Sequence, residues 1–204
     1  MKKMTQNVFD QIANKYDSPK QQALANVIRQ AIEKEWGDQS DKRVLDFGCG
    51  TGLISLPLAH QVKELLLVDV STEMVKVTQE KVTQQQLTNA TVWNADFLQQ
   101  RPTFKVDTIL VSLVLLHVPQ TEEILACLAD MLAEHGQLII VDFDKNPLVY
   151  HERVHNGFEQ EQLKQILAKN LTIQQSYTFY EGDHLFMNQP ATMFLMRALK
   201  EARG

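Results

Sequence analysis

The segment VLDFGCGTG, from Val44 to Gly52, constrains the fold of this chain more than any other stretch. An apolar run leads to Asp46, and glycines then stand at alternate positions, Gly48, Gly50 and Gly52. A backbone that turns sharply, with positive φ angles, favours residues that lack a Cβ atom. Glycines also let a ligand approach the main chain, and the first N–H groups of a following helix can bind it. The segment therefore predicts a strand, a ligand-binding turn and a helix.

The glycine spacing separates two classes of nucleotide-binding turn. The dinucleotide fingerprint is G-x-G-x-x-G, and its third glycine lets the helix pack closely on the strand beneath a pyrophosphate. Here the pattern is G-x-G-x-G, and Leu53 stands where that third glycine would fall. The spacing therefore disfavours a nicotinamide-dependent dehydrogenase.

Apolar runs typical of strands alternate with helical spacing along most of the chain. The predicted strands are Arg43–Phe47, Glu64–Asp69, Ala90–Trp93, Lys105–Ser112, Gln137–Phe143, Leu171–Tyr180 and about Thr192–Ala198. The predicted helices are Leu53–His60, Thr72–Gln85, Thr121–Glu134, which His135 and Gly136 would end, and about Glu159–Ala168. Repeated β-α units predict an α/β fold with a mostly parallel sheet and helices on both faces. The two closing runs predict an antiparallel hairpin at one edge.

The first 35 residues are predicted to be helical from about residue 5. Ser18 is expected to cap the second helical segment, with Pro19 at its first position. No linker rich in proline, glycine or serine divides the chain, so we expect a single domain over residues 1–204.

Composition and charge exclude several functional classes. A formal net charge of −5 argues against a general nucleic-acid binder, which usually displays a basic face. The two cysteines, Cys49 and Cys127, form no C-x-x-C pair and are expected to be free thiols in a reducing compartment. The N-terminal residues lack the apolar core of an export signal, and no run is long enough to cross a bilayer. We therefore expect a cytoplasmic protein without membrane partners.

The motif VLDFGCGTG resembles the first motif of the class I S-adenosylmethionine-dependent methyltransferases of the small-molecule type. The segment FDQIANKYD resembles the opening of many of these enzymes, in which a helix covers the cofactor and its tyrosine, here Tyr16, faces the pocket. The alternative interpretation is that Tyr16 is an ordinary aromatic residue of an apolar helix face. The resemblance implies a Rossmann-like sheet of seven strands, mostly parallel, whose last strand is antiparallel. It also implies S-adenosylmethionine as the cofactor.

The resemblance assigns cofactor roles at successive strand ends, where open parallel sheets bind ligands. The turn residues Gly48, Cys49, Gly50 and Gly52 would pack on the methionine moiety, and Asp46 would meet its ammonium group, often through water. Asp69 ends the second strand and can accept hydrogen bonds from both ribose hydroxyls, although such an acid can also cap a helix. The remaining cofactor residues are expected to be Val70 and Met74 on the adenine faces, Asp96 and Phe97 on its edge, and Ser112 beside the methionine end.

His117 is the candidate general base, because imidazole titrates near neutral pH and His117 follows the fourth strand. The family often carries histidine here, where it can simply orient the loop. His151 and His155 could share a metal ion if their segment were helical, but no third ligand is evident, and we expect no metal. Asp142 and Asp144 could bind an amine or a divalent ion, or could hydrogen-bond the loop.

The acceptor is expected to be a small molecule. The chain has SLVLLH after the fourth strand instead of the N/D-P-P-Y motif of many N-methyltransferases, and it lacks the Pro-Cys nucleophile of cytosine C5 enzymes. Aromatic and histidine side chains of the last quarter are candidate pocket walls or core residues: Phe158, Tyr177, Phe179, Tyr180, His184 and Phe186. The alternative function is a non-catalytic protein that binds S-adenosylmethionine or S-adenosylhomocysteine, because fold does not fix function. The sequence leaves the oligomeric state open.

Overall fold

The computed structural model describes residues 8–152 and 154–202. The chain divides into two compact units, the first ending at Gln100 and the second beginning at Arg101. Residues 5–7 of the predicted helical stretch lie outside the described residues. The expectation of one domain stays a prediction.

The first unit contains three parallel strands, β1 (Arg43–Phe47), β2 (Glu64–Asp69) and β3 (Ala90–Asn94). They lie in the order β3-β2-β1. The central residues of β1 and β2 are buried, because their continuous apolar runs are those of strands covered on both faces. Phe47 lies beside Val68, and Asp69 lies beside Asn94. The carboxyl ends of the three strands therefore meet at one edge.

Two helices of the first unit begin as predicted. They are α1 (Pro19–Glu35) and α2 (Thr72–Gln84). The Ser18 hydroxyl accepts the Gln21 N–H at 3.3 Å, and the Ser71 hydroxyl accepts the Met74 N–H at 3.2 Å. Each serine satisfies a backbone donor that has no partner inside its helix.

The predicted α-helix Leu53–His60 is wrong. Residues 51–55 form turns, and a 3₁₀-helix follows at Leu56–Gln61. Ser55 directly precedes this 3₁₀-helix, but its hydroxyl does not cap it. That hydroxyl instead donates to Asp46 Oδ2 at 2.5 Å. Ser55 is therefore bonded to β1 and does not start a helix. No α-helix end therefore follows the turn, and the N–H groups of Gly48, Cys49, Gly50 and Gly52 are bonded within the protein.

The second unit contains four strands, β4 (Val106–Ser112), β5 (Leu132–Phe143), β6 (Thr172–Phe186) and β7 (Gln189–Leu199). Their order is β4-β5-β7-β6. β4 and β5 are parallel, and β7 is antiparallel to both of its neighbours. The last strand is therefore the antiparallel one, as expected. The α-helices of this unit are α3 (Thr121–Met131) and α4 (Gln160–Leu167).

The predicted boundary at His135 and Gly136 is wrong. The helix ends at Met131, and both residues belong to β5. The reason is sheet pairing, because Leu132 already pairs with Val106, and the His135 N–H donates to the Lys200 carbonyl at 2.9 Å. His135 adopts a φ of +61° within this pairing. Tertiary hydrogen bonds thus decide the boundary that local spacing misplaced.

The closing hairpin is longer than predicted. β6 extends to Phe186, and β7 begins at Gln189. Met187 and Asn188 form the connection with φ angles of +48° and +63°. Two consecutive positive φ angles are those of a type I′ turn, whose twist matches the twist of a hairpin. Methionine is an unusual residue for such a turn, which explains why the sequence did not reveal it.

The fold class is the predicted one. The chain has an α/β fold with a seven-stranded, mostly parallel Rossmann-like sheet, an antiparallel last strand and surrounding helices. Among the described residues, none of the helices combines the length and the apolar character that crossing a membrane requires.

Candidate active site

The glycine turn after β1 adopts the conformation that its sequence predicts. Gly48, Gly50 and Gly52 have φ angles of +76°, +53° and +74°. A Cβ atom built on Gly50 would find no described atom within 4 Å, whereas one on Gly52 would lie 2.6 Å from Leu56 Cδ1. The two glycines therefore serve different purposes. Gly50 borders open space that a ligand can enter, and Gly52 allows close packing.

Asp69, at the end of β2, fixes this turn. Its Oδ2 accepts the Gly50 N–H at 2.8 Å, and its Oδ1 accepts the Ser71 N–H at 2.8 Å. Burial raises the pKa of Asp69, and these N–H groups oppose that rise. A carboxylate has about four lone-pair positions, so each oxygen can still accept a further hydrogen bond. The geometry suits a pair of neighbouring hydroxyls.

Asp46, at the end of β1, is buried and hydrogen-bonded to Ser55. Burial raises the pKa of Asp46 to about 7, the Ser55 hydroxyl opposes that rise, and the charge of Asp69 adds to it. Cys49, in the adjoining turn, is also buried, and burial raises the pKa of its thiol well above the ordinary value. A cation placed beside Asp46 would favour its ionised form.

Two residues of α2 hold the carbonyl groups of the turn, and sequence reasoning missed both. The Thr78 hydroxyl donates to the Gly50 carbonyl at 2.7 Å, and the Lys81 ammonium donates to the Thr51 carbonyl at 2.7 Å. Thr78 and Lys81 are three positions apart, so they share one face of the helix. The spacing of these two polar residues was the feature of the sequence that could have identified them. Because its carbonyl groups are bound by the protein, the turn keeps a fixed shape.

The end of the N-terminal segment contacts this turn. Burial raises the pKa of the Tyr16 hydroxyl, and the charges of Asp69 and Asp17 raise it further, which places Tyr16 near both acids. Asp17 Oδ1 accepts the Thr51 hydroxyl at 2.5 Å, and Asp17 also forms an ion pair with Lys81. Asp17 is the last residue of FDQIANKYD, but sequence reasoning assigned it no role.

The predicted adenine residues lie in the first unit near Asp69. Val70 is exposed at 43%, whereas Met74 is exposed at only 1% and lies in the core. Asp96 accepts the Leu98 N–H at 3.0 Å and the Gln99 side-chain amide at 2.9 Å. Phe97 is buried, and its ring lies 5.6 Å from that of Phe47.

The second unit carries the remaining predicted residues. Ser112 ends β4, and Leu113 follows with a φ of +56°, a strained conformation for a bulky residue. The Ser112 hydroxyl oxygen is buried and has no hydrogen-bond partner within the described part of the chain. Buried polar atoms are nearly always bonded, so this hydroxyl has capacity for a ligand or water.

His117 closes a 3₁₀-helix, Leu115–His117, in the same segment. Burial, helped by the charge of His151, lowers the pKa of His117 to about 4. The imidazole is therefore neutral at pH 7 and able to accept a proton. Asp142 is fully buried, and its carboxylate accepts the Phe143 N–H at 2.8 Å. Burial raises the pKa of Asp142 to about 7, and the N–H groups of Phe143, Leu116 and Leu115 oppose that rise.

The polar loop after β5 is not helical where its two histidines stand. Residues 151, 152 and 154–159 are not helical, and the His155 ring stacks on Phe158 at 4.6 Å, so the helical spacing of the two histidines does not apply. Asp144 accepts hydrogen bonds from Gln160, Thr178 and Thr192 at 2.7–2.9 Å. Its carboxylate thereby ties α4 to the hairpin. The described residues contain no cluster of three or more histidine, cysteine or acidic side chains able to hold a metal.

The candidate pocket walls separate into two groups. Phe158 and Phe186 are core residues, and the Phe186 ring stacks on Phe143 at 4.3 Å. Tyr177, Phe179 and Tyr180 are half-buried, and His184 is exposed. Only this second group retains surface for a ligand.

Comparisons with known proteins agree with this geometry. The family model described as "Methyltransferase domain" matches residues 38–185. An uncharacterized methyltransferase of Schizosaccharomyces pombe is 30% identical over 125 residues, which cover 57% of this chain and 44% of that protein. The ubiquinone/menaquinone biosynthesis C-methyltransferase of Pasteurella multocida is 24% identical over 87% of this chain and 69% of its own length.

A solved structure extends the likeness to the fold. The S-adenosylmethionine-dependent methyltransferase of Aquifex aeolicus superposes with a TM-score of 0.74 at 20% identity, covering 94% of this chain and 98% of that one. The chain spans about half to two thirds of the length of the curated relatives that it matches. The matched family model covers most of the chain, including the glycine turn and the ends of β1 to β5. The chain therefore belongs to the methyltransferase domain family.

Proposed function

We propose that this protein transfers the methyl group of S-adenosylmethionine to a nucleophilic atom of a small molecule. The observation that carries the proposal is the arrangement of Asp69 and the glycine turn. One carboxylate orients the Gly50 and Ser71 N–H groups and retains acceptor capacity for two hydroxyls. Beside it, the position of a Gly50 Cβ is open. An adenosyl ligand has the neighbouring ribose hydroxyls that such a site recognises.

The other cofactor contacts are proposed from the family resemblance. Asp46 would face the ammonium group, whose charge would lower the pKa of this buried acid. Val70 has exposed apolar surface for an adenine face, and Asp96 lies at the end of β3, where the family binds the adenine edge. Tyr16 would cover the ribose side. Ser112 stays a prediction that its buried hydroxyl supports.

Methyl transfer from S-adenosylmethionine requires positioning of the acceptor more than activation of the methyl group. The sulfonium group of S-adenosylmethionine supplies an electrophilic methyl, so no covalent enzyme intermediate is needed. Holding the acceptor in line with the breaking bond can contribute about 7–11 kcal/mol to barrier lowering. We propose His117 as the base for an acceptor that must lose a proton, because its imidazole is neutral at pH 7, although a pKa of about 4 makes it a weaker base than an ordinary histidine.

A small-molecule acceptor accords with the charge of the chain. The formal net charge of −5 does not favour a polyanion such as nucleic acid. One relative is named a C-methyltransferase of ubiquinone and menaquinone biosynthesis, and we propose that the acceptor of this chain is likewise a small molecule. Among the described residues neither Cys49 nor Cys127 is in a disulfide, and both are buried, which supports a reducing compartment, and we propose the cytoplasm.

Two measurements test the proposal. Calorimetry should detect binding of S-adenosylmethionine and S-adenosylhomocysteine, and absence of heat with both at millimolar concentration would end the assignment. Incubation with radiolabelled cofactor and a fractionated extract of small metabolites should then transfer label to at least one fraction. Binding without transfer to any fraction would favour the non-catalytic binding protein. A matched incubation without enzyme controls for chemical methylation.

A further inference from the structure

The segment from Asp10 to Asp17, here called the strap, is attached to the glycine-turn region at both of its ends. Asp10 Oδ1 accepts the Ser71 hydroxyl at 2.5 Å and the Glu73 N–H at 3.3 Å. At the other end, Asp17 accepts the Thr51 hydroxyl at 2.5 Å and forms an ion pair with Lys81. These contacts join residues that are distant in sequence.

The strap contacts side chains at or next to the residues that bind Asp69. The Ser71 N–H donates to one oxygen of Asp69, and the Gly50 N–H donates to the other. Asp10 accepts the Ser71 hydroxyl, and Asp17 accepts the hydroxyl of Thr51, which follows Gly50. Each carboxylate of the strap is therefore linked to one of the two N–H donors of Asp69. Tyr16 belongs to the strap, and the charge of Asp69 contributes to the raised pKa of its hydroxyl.

Apolar burial holds only part of the strap in place. Ile12 is 39% exposed, and Val8, just before the strap, is 47% exposed. Ala13 is buried but small, and Tyr16 is half-buried. Hydrophobic stabilisation grows with the apolar area removed from water, so the strap gains it chiefly from Tyr16. The polar contacts of Asp10 and Asp17 add to it at the two ends of the strap.

We propose that Asp10 and Asp17 are positioning residues of the cofactor site, whose contacts hold Tyr16 beside Asp69 and set the rate at which the cofactor leaves. The inference rests on the proposed function, because it takes Asp69 as the ribose-binding acid. The Asp10 and Asp17 contacts adjoin the two N–H donors of Asp69, so a ligand on Asp69 should leave faster when either contact is lost. Asp10 and Asp17 are half-buried, whereas Ser71 and Thr51, which they bind, are buried.

The experiment measures dissociation rates of S-adenosylmethionine and S-adenosylhomocysteine by stopped-flow fluorescence. The test variants are Asp10→Asn, Asp17→Asn and the double substitution. Asp41→Asn is the matched control, because Asp41 lies in the same unit, is exposed and pairs with its neighbour Lys42. We expect the double variant to release either ligand about three to ten times faster, given the range for exposed ion pairs. The control should stay within about 1.5-fold of the wild type.

Two further readouts separate positioning from general stability. Amide exchange of residues 10–17 should slow when S-adenosylhomocysteine binds the wild type, and the double variant should lose most of this protection. In a cycle of Asp17→Asn and Lys81→Met, the double substitution should raise the dissociation rate by less than the product of the single effects. Pair coupling produces that shortfall, whereas independent destabilisation does not.

The outcomes are distinguishable. Unchanged dissociation rates in the double variant, or an equal increase in the Asp41→Asn control, would overturn the role of the strap while leaving the proposed function intact. Multiplicative effects in the Lys81 cycle would likewise overturn the role of the ion pair. Failure of the wild type to bind either ligand at millimolar concentration would overturn both the proposed function and this inference.

Discussion

The backbone N–H of Gly50 donates to Oδ2 of Asp69 across 2.8 Å, although 19 positions separate the two residues in the sequence. This bond joins the turn after β1 to the end of β2. It means that the acid expected to bind ribose also shapes the turn expected to bind methionine. Loss of Asp69 should therefore disturb both halves of the cofactor site at once.

Asp69→Ala should weaken S-adenosylmethionine binding by about 1–3 kcal/mol, because buried ribose hydroxyls would lose a charged acceptor. Calorimetry on the wild type and the variant measures the change. Asp41→Asn, on the surface of the same unit, provides the control. Equal affinities for wild type and Asp69→Ala would remove Asp69 from the site.

Gly50→Ala and Gly52→Ala should fail in different ways, although both glycines have positive φ angles. A Cβ on Gly50 enters open space, so the variant should keep most of its stability, lose about 1–2 kcal/mol to backbone strain and bind cofactor poorly. A Cβ on Gly52 meets buried Leu56, so that variant should lose stability by about 1–3 kcal/mol beyond the strain. Chemical denaturation and calorimetry on both variants give the comparison. Identical profiles would contradict the separation of roles.

Asp142→Asn should change how stability depends on pH. The pKa of Asp142 is about 7 in the fold and 3.8 ordinarily, so the fold favours the protonated acid. Its contribution is complete below pH 4 and is lost as pH rises through 4 to 7. The free energy of unfolding of Asp142→Asn, relative to wild type, should therefore increase across that window. Urea denaturation of both proteins at pH 4.5 and 7.5 measures this difference in unfolding free energy. A difference that stays constant would contradict the raised pKa of Asp142.

His117 should show the opposite dependence. Its pKa is about 4 in the fold and 6.5 ordinarily, so the fold favours neutral imidazole. The corresponding stabilisation is complete above pH 6.5 and is lost as pH falls from 6.5 to 4. Carbon-13 NMR of the labelled histidine ring should show titration below pH 5, and an ordinary midpoint near 6.5 would contradict its burial.

His117→Ala should slow methyl transfer by about 100-fold or more when the acceptor must lose a proton, with cofactor affinity unchanged. The assay uses the acceptor fraction found in the metabolite screen and measures production of S-adenosylhomocysteine. His60→Ala serves as a matched control, since His60 is an exposed histidine of the first unit. Equal rates for wild type and His117→Ala would leave His117 as a structural residue.

The sequence predicted the fold well where local signals and tertiary packing agree. The β1 and β2 boundaries and the cap at Ser18 followed from apolar runs and a side-chain oxygen that act within a few residues. Prediction failed where a distant partner decided the structure. Ser55 could have started a helix but donates to Asp46, and the backbone of His135 bonds to Lys200.

The candidate site divides along the same line. The glycine turn and Asp69 belong to a motif with fixed spacing, so the sequence located them, and their cofactor roles stay predictions. Sequence reasoning gave Asp10, Asp17 and Lys81 no role, because only long-range contacts make them part of the region. Nor did the sequence show that Met74 lies in the core, because helical spacing does not distinguish a buried methionine from one that contacts a ligand.

The outer strand β6 has a consequence for association between molecules. A long edge strand presents a row of unpaired N–H and C=O groups that can recruit a strand from another molecule and begin aggregation. Three irregularities interrupt the register of β6 with β7, between Ile173 and Gln175, Thr178 and Tyr180, and Gly182 and Phe186. Such breaks bend the strand and prevent a continuous ladder from forming on its free side. The irregular register of β6 therefore disfavours growth of this sheet into fibres.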